Sequence, residues 1–299
     1  MTWSLDDSYA ACQRITRATA SNFYYSFLVL PRAKRRSMCA LYAFLRHTDD
    51  LGDNRQPADT RREALVRWRA SLQRALCGEF DAPLFPALAD TVAQYNIPPA
   101  YLEAVIDGVL MDLDERVFET FAELSDYCYK VAGVVGLSCI HIWGYDGSDA
   151  AHEASKACGL AFQLTNILRD LKEDATTGRV YLPQEDLRRF GYTADDLRHG
   201  VRDGRFQALM RFEMARAEDF YREARQLEPH LSEEGRSVYG AMTAIYHGLL
   251  DEMQRRDGDV FTARVRLSTW RKLGIAMRWL PRPSWAPAWA RAAPGVGPR

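Results

Sequence analysis

Apolar residues recur along this chain with the period of a helix rather than a strand. Between Pro31 and Asp53 they fall at Met38, Leu41, Tyr42 and Leu45, the i, i+3, i+4, i+7 spacing of one helical face. Comparable patterns run near 7–19, 59–77, 83–95, 98–113, 118–144, 150–174, 203–229, 232–256 and 266–279. No convincing run alternates as a strand does, and no hairpin dipeptide joins two such runs. Pro57, Pro83, Pro98 and Pro183 stand where helices should begin, and Gly144, Gly178 and Gly191 where they should end. The pattern predicts an all-α protein. No linker interrupts residues 1–280, so they read as one helical domain.

Residues 281–299 differ. Pro281, Pro283, Pro287, Pro294 and Pro298 accompany Trp285 and Trp289, and an irregular tail is expected. Its tryptophans, with Arg278, Arg282 and Arg291, also permit peripheral contact with a membrane surface.

Composition narrows the classes. A hydrophobic content of 47% in 299 residues supports a large core, and a net charge of −1 gives no field for nucleic acid. Six cysteines lie singly, without CxxC pairs, and read as buried thiols in a reducing compartment. The first residues are acidic and lack the apolar core of a secretory signal, and no 18-residue apolar stretch suits a membrane span. A cytoplasmic location, with or without membrane association, is expected.

Two acidic stretches carry the chemistry. Asp49-Asp50-Leu51-Gly52-Asp53 and Asp170-Leu171-Lys172-Glu173-Asp174 each place carboxylates at i and i+4 within a helical pattern. Like charges at that spacing cost about 0.2–0.5 kcal/mol per pair on an isolated helix, so cations are expected beside them. In the second stretch Asn166, Asp170 and Asp174 share one face, Gln163 lies a turn earlier, and Phe162, Leu164, Ile167 and Leu168 surround them. Oxygen-only donors select a hard ion, and Mg²⁺ held by carboxylates together with substrate phosphates is the usual arrangement. A diphosphate suits such a cage. Ionising an allylic diphosphate leaves a carbocation that apolar and aromatic walls must shelter. Phe23, Tyr24, Tyr25, Phe27, Tyr42, Phe44, Tyr127, Tyr129 and Tyr246 supply aromatic surface near the motifs.

These stretches resemble the squalene/phytoene synthases, which join two prenyl diphosphates head to head. The matching blocks are residues 42–53, 127–136, 163–174 and 178–183, then Asp259-Val260-Phe261 with Arg264, Arg266 and Trp270. The resemblance implies a helical bundle around a central cavity. It implies metal ligation by Asp49, Asp50, Asp53, Asn166, Asp170 and Asp174. Catalytic positions are Tyr42, Arg46, Tyr127, Gln163, Asn166, Tyr181 and Tyr246. Substrate contacts fall to Phe23, Phe27, Arg46, Ala132, Gly133, Gly136, Arg169, Arg179, Arg264 and Arg266. One departure is visible: Thr19-Ala20-Ser21-Asn22-Phe23 lacks the Lys or His that many members carry there. Arg14 or Arg17 substitutes only if its helix turns it inward.

The resemblance implies Mg²⁺, with Mn²⁺ as a substitute, and prenyl diphosphates as substrates. It leaves oligomeric state and NADPH use open. The ring of Phe27 favours two farnesyl diphosphates, giving presqualene diphosphate or squalene. The small Cys39 leaves room for the alternative, two geranylgeranyl diphosphates giving phytoene for carotenoid biosynthesis. A non-catalytic scaffold of the same fold is the remoter reading.

Overall fold

Helices make up about three quarters of the computed structural model, which describes residues 3–19, 23–114 and 116–280; no strand occurs among them. In chain order they are α1 (Leu5–Thr19), α2 (Phe23–Phe27), α3 (Arg32–Asp53), α4 (Ala58–Leu76), α5 (Phe85–Tyr95) and α6 (Pro99–Met111). A 3₁₀ turn, Asp112–Asp114, leads to α7 (Phe121–Cys128), a π-turn (Tyr129–Gly133) and α8 (Val134–Trp143). Then come α9 (Asp149–Thr176), α10 (Gln184–Arg189), α11 (Ala194–Arg198), α12 (Gly204–Ala224), α13 (Glu233–Arg255) and α14 (Thr269–Arg278). The expected tail, 281–299, lies outside the described residues.

Local chemistry sets these boundaries. Pro57, Pro98 and Pro183 occupy the N-caps of α4, α6 and α10, where a missing N–H costs nothing. Ser148, Asp203, Ser232 and Ser268 accept backbone N–H bonds at the starts of α9, α12, α13 and α14. Gly178 and Gly191, at φ +84° and +61°, end α9 and α10 in a conformation that side chains rarely adopt.

Three expected boundaries shift. The helix anticipated from residue 83 starts at Phe85, because Leu84 serves as its N-cap and the proline in its first turn is Pro86. The pattern read as one helix over 118–144 is divided by the π-turn, where Val134 N bonds Tyr129 O. The pattern over 203–229 leaves α-geometry at Ala224 and continues as a 3₁₀ segment, Arg225–His230, containing Pro229.

The 28-residue α9 is the centre of the bundle. It packs on α7, α8, α11, α12 and α13, and along the π-turn. Gly159 makes that last approach possible: a Cβ there would stand 2.5 Å from the Ala132 carbonyl oxygen and 2.7 Å from Gly133 Cα. A single hydrophobic core runs from Tyr9 and Cys12 of α1 through Phe44, Trp68 and Phe85 to Phe206, Tyr221 and Leu249.

Candidate active site

A cavity of about 520 Å³ lies between α3, α9, the π-turn and α13. One face of α3 lines it in sequence order, from Met38, Leu41 and Tyr42 through Leu45 and Arg46 to Asp49 and Asp53. One face of α9 does the same, from Ser155, Cys158 and Gly159 through Phe162, Gln163 and Asn166 to Asp170 and Asp174. Both helices therefore pass from small or apolar residues to carboxylates in the same chain direction. At 1.5 Å per residue the lining face of α9 extends about 28 Å. The result is a polar mouth continuous with an apolar chamber walled by Phe27, Val131, Ala132, Val135, Trp143 and Met242.

Five carboxylates share the polar end. Four are the expected Asp49, Asp53, Asp170 and Asp174; the fifth is Asp112, in the 3₁₀ turn after α6. Asp112 acts electrostatically on both Asp49 and Asp174, which ties the two motifs together. Asp49 lines the cavity. Enclosure by protein, then the charge of Asp53, push its carboxyl up to about 7. Burial and the charge of Asp170 likewise raise Asp174 to about 7. Burial lifts Asp112 to about 6 against the hydrogen bond from Tyr127 and the charge of Arg179. Mutual repulsion of this kind marks a site completed by cations.

Arginines and tyrosines order these acids. Arg169 holds Asp170 with two bonds of 2.9 and 2.5 Å, and Arg264 bridges Asp170 and Glu173, each at 2.9 Å. Arg179 reaches Asp53 at 3.1 Å, joining the segment after α9 to the end of α3. Tyr127 donates to Asp112 Oδ2 at 3.0 Å and Tyr181 to Oδ1 at 3.1 Å. Their rings stack with centroids 5.4 Å apart. Deeper in, Phe162 stacks on Tyr246 at 4.4 Å, and Phe23 lies against both Tyr246 and Tyr42. These rings form a face able to stabilise positive charge by about 0.5–2 kcal/mol each.

Of the buried polar atoms in the cavity lining that lack partners, two stand at its polar end. Asn166 Oδ1 is a buried acceptor without a donor, and Arg46 Nε a buried donor without an acceptor. Leaving such groups unpaired costs about 1–3 kcal/mol apiece. An ion beside Asn166 and an anion beside Arg46 would satisfy both, so the donor set fits a hard divalent cation with a diphosphate.

The structure brings together most of the expected residues. Phe23, Phe27, Tyr42, Arg46, Tyr127, Ala132, Gly136, Gln163, Asn166, Arg169, Arg179, Tyr181 and Tyr246 all line the cavity with the four motif aspartates. Four expectations need correction. Asp50 is not among the lining residues, is half-exposed and pairs with Arg46 at 2.5 Å. One residue of helical rotation separates it from Asp49. Gly133 does not line the cavity: a Cβ there would face Tyr129, and its Cα packs under Gly159. Arg266 is exposed and away from the cavity, while Arg264 reaches the acids from outside its wall. Arg14 and Arg17 are also exposed, because α1 turns Cys12 and Thr16 inward instead. Within the block preceding Phe23, residues 20–22 lie outside the described residues.

Asp112 escaped the sequence reading because a single Asp-Leu-Asp at a helix end carries no periodic signal. A separate grouping, Glu218, His247 and Asp251, has potential ligand atoms within 4.8 Å of one another. It joins α12 to α13 and does not line the cavity.

The comparisons agree with this geometry. The family model for squalene/phytoene synthase matches residues 16–271. A 15-cis-phytoene synthase of Synechococcus elongatus is 39% identical over 282 residues, covering 90% of this chain and 91% of the relative. A phytoene synthase of Mycobacterium tuberculosis is 35% identical over 275 residues, covering 91% and 90%. Among solved structures, a dehydrosqualene synthase superposes with a TM-score of 0.84 at 30% identity, covering 92% of this chain and 96% of that one. A squalene synthase from Alicyclobacillus acidocaldarius gives 0.80 at 30%, covering 86% and 97%.

Fold and cavity define an enzyme of the helical prenyltransferase class. The chain belongs to the squalene/phytoene synthase family, divalent-metal-dependent enzymes of head-to-head prenyl diphosphate condensation. Among the described residues no helix is long and apolar enough to cross a membrane.

Proposed function

We propose that this protein condenses two geranylgeranyl diphosphates to phytoene, the alternative weighed above, with Mg²⁺ as its ion and without NADPH. The observation carrying this reading is that the named curated relatives, 34–39% identical over about nine-tenths of this chain, are phytoene synthases. The chamber supports it. Gly136, Cys139, Ser155, Cys158 and Gly159 are small and line its deep wall, which leaves room for long tails.

In this reading Asp49, Asp53, Asn166, Asp170 and Asp174 hold Mg²⁺, and Arg46 and Arg179 grip phosphate oxygens. The bound ions supply charge that stabilises the departing diphosphate. Breaking the C1–O bond sends its electron pair with that group. Phe23, Tyr42, Phe162 and Tyr246 face the allylic cation, and the closed chamber keeps water from it. The double bond of the second substrate attacks, and loss of a proton closes a cyclopropane. Tyr127 and Tyr181, both bonded to Asp112, are placed to pass protons to a carboxylate that accepts them near neutrality. Loss of the second diphosphate, rearrangement and a final proton loss complete the triene.

A second reading has its own support. Phe27 is buried and forms part of the wall, as expected of a floor for fifteen-carbon chains. The solved neighbours at 30% identity are dehydrosqualene and squalene synthases. Parallel incubation with Mg²⁺ and either geranylgeranyl or farnesyl diphosphate, with mass detection of products, decides between them. Forty-carbon phytoene is expected. A thirty-carbon product alone would transfer the assignment to the second reading, and no coupled product from either substrate would overturn both.

A further inference from the structure

Beside the main cavity lies a smaller pocket of about 160 Å³. Arg116, Arg179 and Arg198 line it, with Gln184 and the exposed Val117 also in its wall. The two cavities share Asp112, Arg179 and Tyr181. Arg179 therefore borders both spaces, with Arg116 and Arg198 on the side of the smaller pocket. We propose that this arginine-lined pocket is a metal-independent receiving site for inorganic diphosphate leaving the main cavity.

The charge balance of the two spaces differs in kind. The main cavity sets five carboxylates against Arg46, Arg169 and Arg179, an excess of acid that cations offset when an anion enters. In the pocket the lining carboxylate is Asp112, whose two oxygens already accept the Tyr127 and Tyr181 hydroxyls. Arg116 and Arg198 are exposed to solvent. Arg198 pairs with Asp195 in an exposed i, i+3 contact, a kind of pair that gives little and exchanges readily. Arg179 holds Asp53 on one side and borders the pocket on the other. Planar guanidinium groups bind phosphate oxygens in pairs, more strongly than they hold a surface carboxylate. Size completes the argument: a space this much smaller than the main cavity suits the detached diphosphate rather than the tail-bearing substrate.

The proposal rests on the reading that the reaction releases diphosphate. Its test contains no prenyl substrate, so the two can fail separately. Inorganic diphosphate is titrated calorimetrically into the full chain in EDTA, where the carboxylate cage cannot hold it. Saturable binding is expected, weakened about tenfold or more in the Arg116→Ala/Arg198→Ala variant. Val117→Glu, which adds charge at the lip without removing an arginine, should weaken it comparably and serves if the double variant misfolds. No binding by the wild type in EDTA, or unchanged binding in both variants, overturns the pocket. In a burst assay the double variant should keep the rate of its first turnover and slow thereafter, because release then limits the cycle. An unchanged steady state would overturn the receiving role. If the coupling assay fails while the titration succeeds, the pocket stands and only the reaction it serves falls.

Discussion

Asp112 and Tyr181 are 69 residues apart in the chain and 3.1 Å apart in the fold, with the Tyr181 hydroxyl donating to Asp112 Oδ1. Tyr127 completes the arrangement from the other carboxylate oxygen. Replacing Asp112 by Asn keeps the shape but removes the charge that orients both phenols and accepts protons from them. Turnover should fall by about 100-fold or more, with helical circular dichroism intact. Turnover within a few-fold of wild type would strip Asp112 of this role.

The crowded carboxylates also predict how the metal-free protein responds to pH. Asp49 and Asp174 are raised from 3.8 to about 7 in the folded state. The native protein thus binds more protons than the unfolded chain across that interval. Stability is highest below pH 4 with respect to these groups and declines as pH rises through about 7. Thermal melts in EDTA should show the decline, and Asp49→Asn should flatten it. Mg²⁺ with a diphosphate analogue should flatten it as well. A slope indifferent to both would contradict the cluster's electrostatics.

His247 predicts a second, more alkaline loss. Its imidazolium donates hydrogen bonds to Asp251 and Glu218, which raise it from 6.5 to about 9. Its contribution is complete below pH 6.5 and disappears as pH rises through about 9. His247→Gln should cost on the order of 1–3 kcal/mol at pH 6 and much less at pH 10, measured by urea unfolding. Equal losses at both values would show that the pin between α12 and α13 is not ionic.

Gly159→Ala tests the contact that brings the π-turn onto α9. The added methyl would meet backbone, which cannot swing aside as a side chain does. A loss of about 1–3 kcal/mol in unfolding free energy is expected. A neutral result would mean that the two segments separate at little cost.

Cys139 lies on the small-residue wall of the chamber. Cys139→Phe should shorten the chains accepted, moving the ratio of turnover with geranylgeranyl to farnesyl diphosphate by roughly tenfold or more towards the shorter. Competition between the two substrates in one reaction measures that ratio, and an unchanged value would place the tail elsewhere.

Most of the long helices, and the two acidic faces, were legible because both depend on period and spacing. A polar stripe at Asn166, Asp170 and Asp174 predicts a shared face before any coordinates exist. Residues that act alone were harder. Asp112 enters the site through a 3₁₀ turn, and Arg116 and Arg198 meet Arg179 only through tertiary packing. Asp50 shows the converse error. It belongs to the motif as a string of letters, yet it pairs with Arg46 and stays off the cavity lining. The short helices α2, α10 and α11 went unread because five or six residues hold too little pattern to identify.

The π-turn at 129–133 contains one residue more than a regular helix would use there. Removing Val131 would let Tyr127 and Val135 run on through an uninterrupted helix, which can still fold. Because the π-turn absorbs the extra residue, the flanking helices would keep their register, and the change would fall on the stretch of chamber wall that Val131 and Ala132 supply. A stable protein with its chamber wall reshaped at that turn alone is the anticipated phenotype.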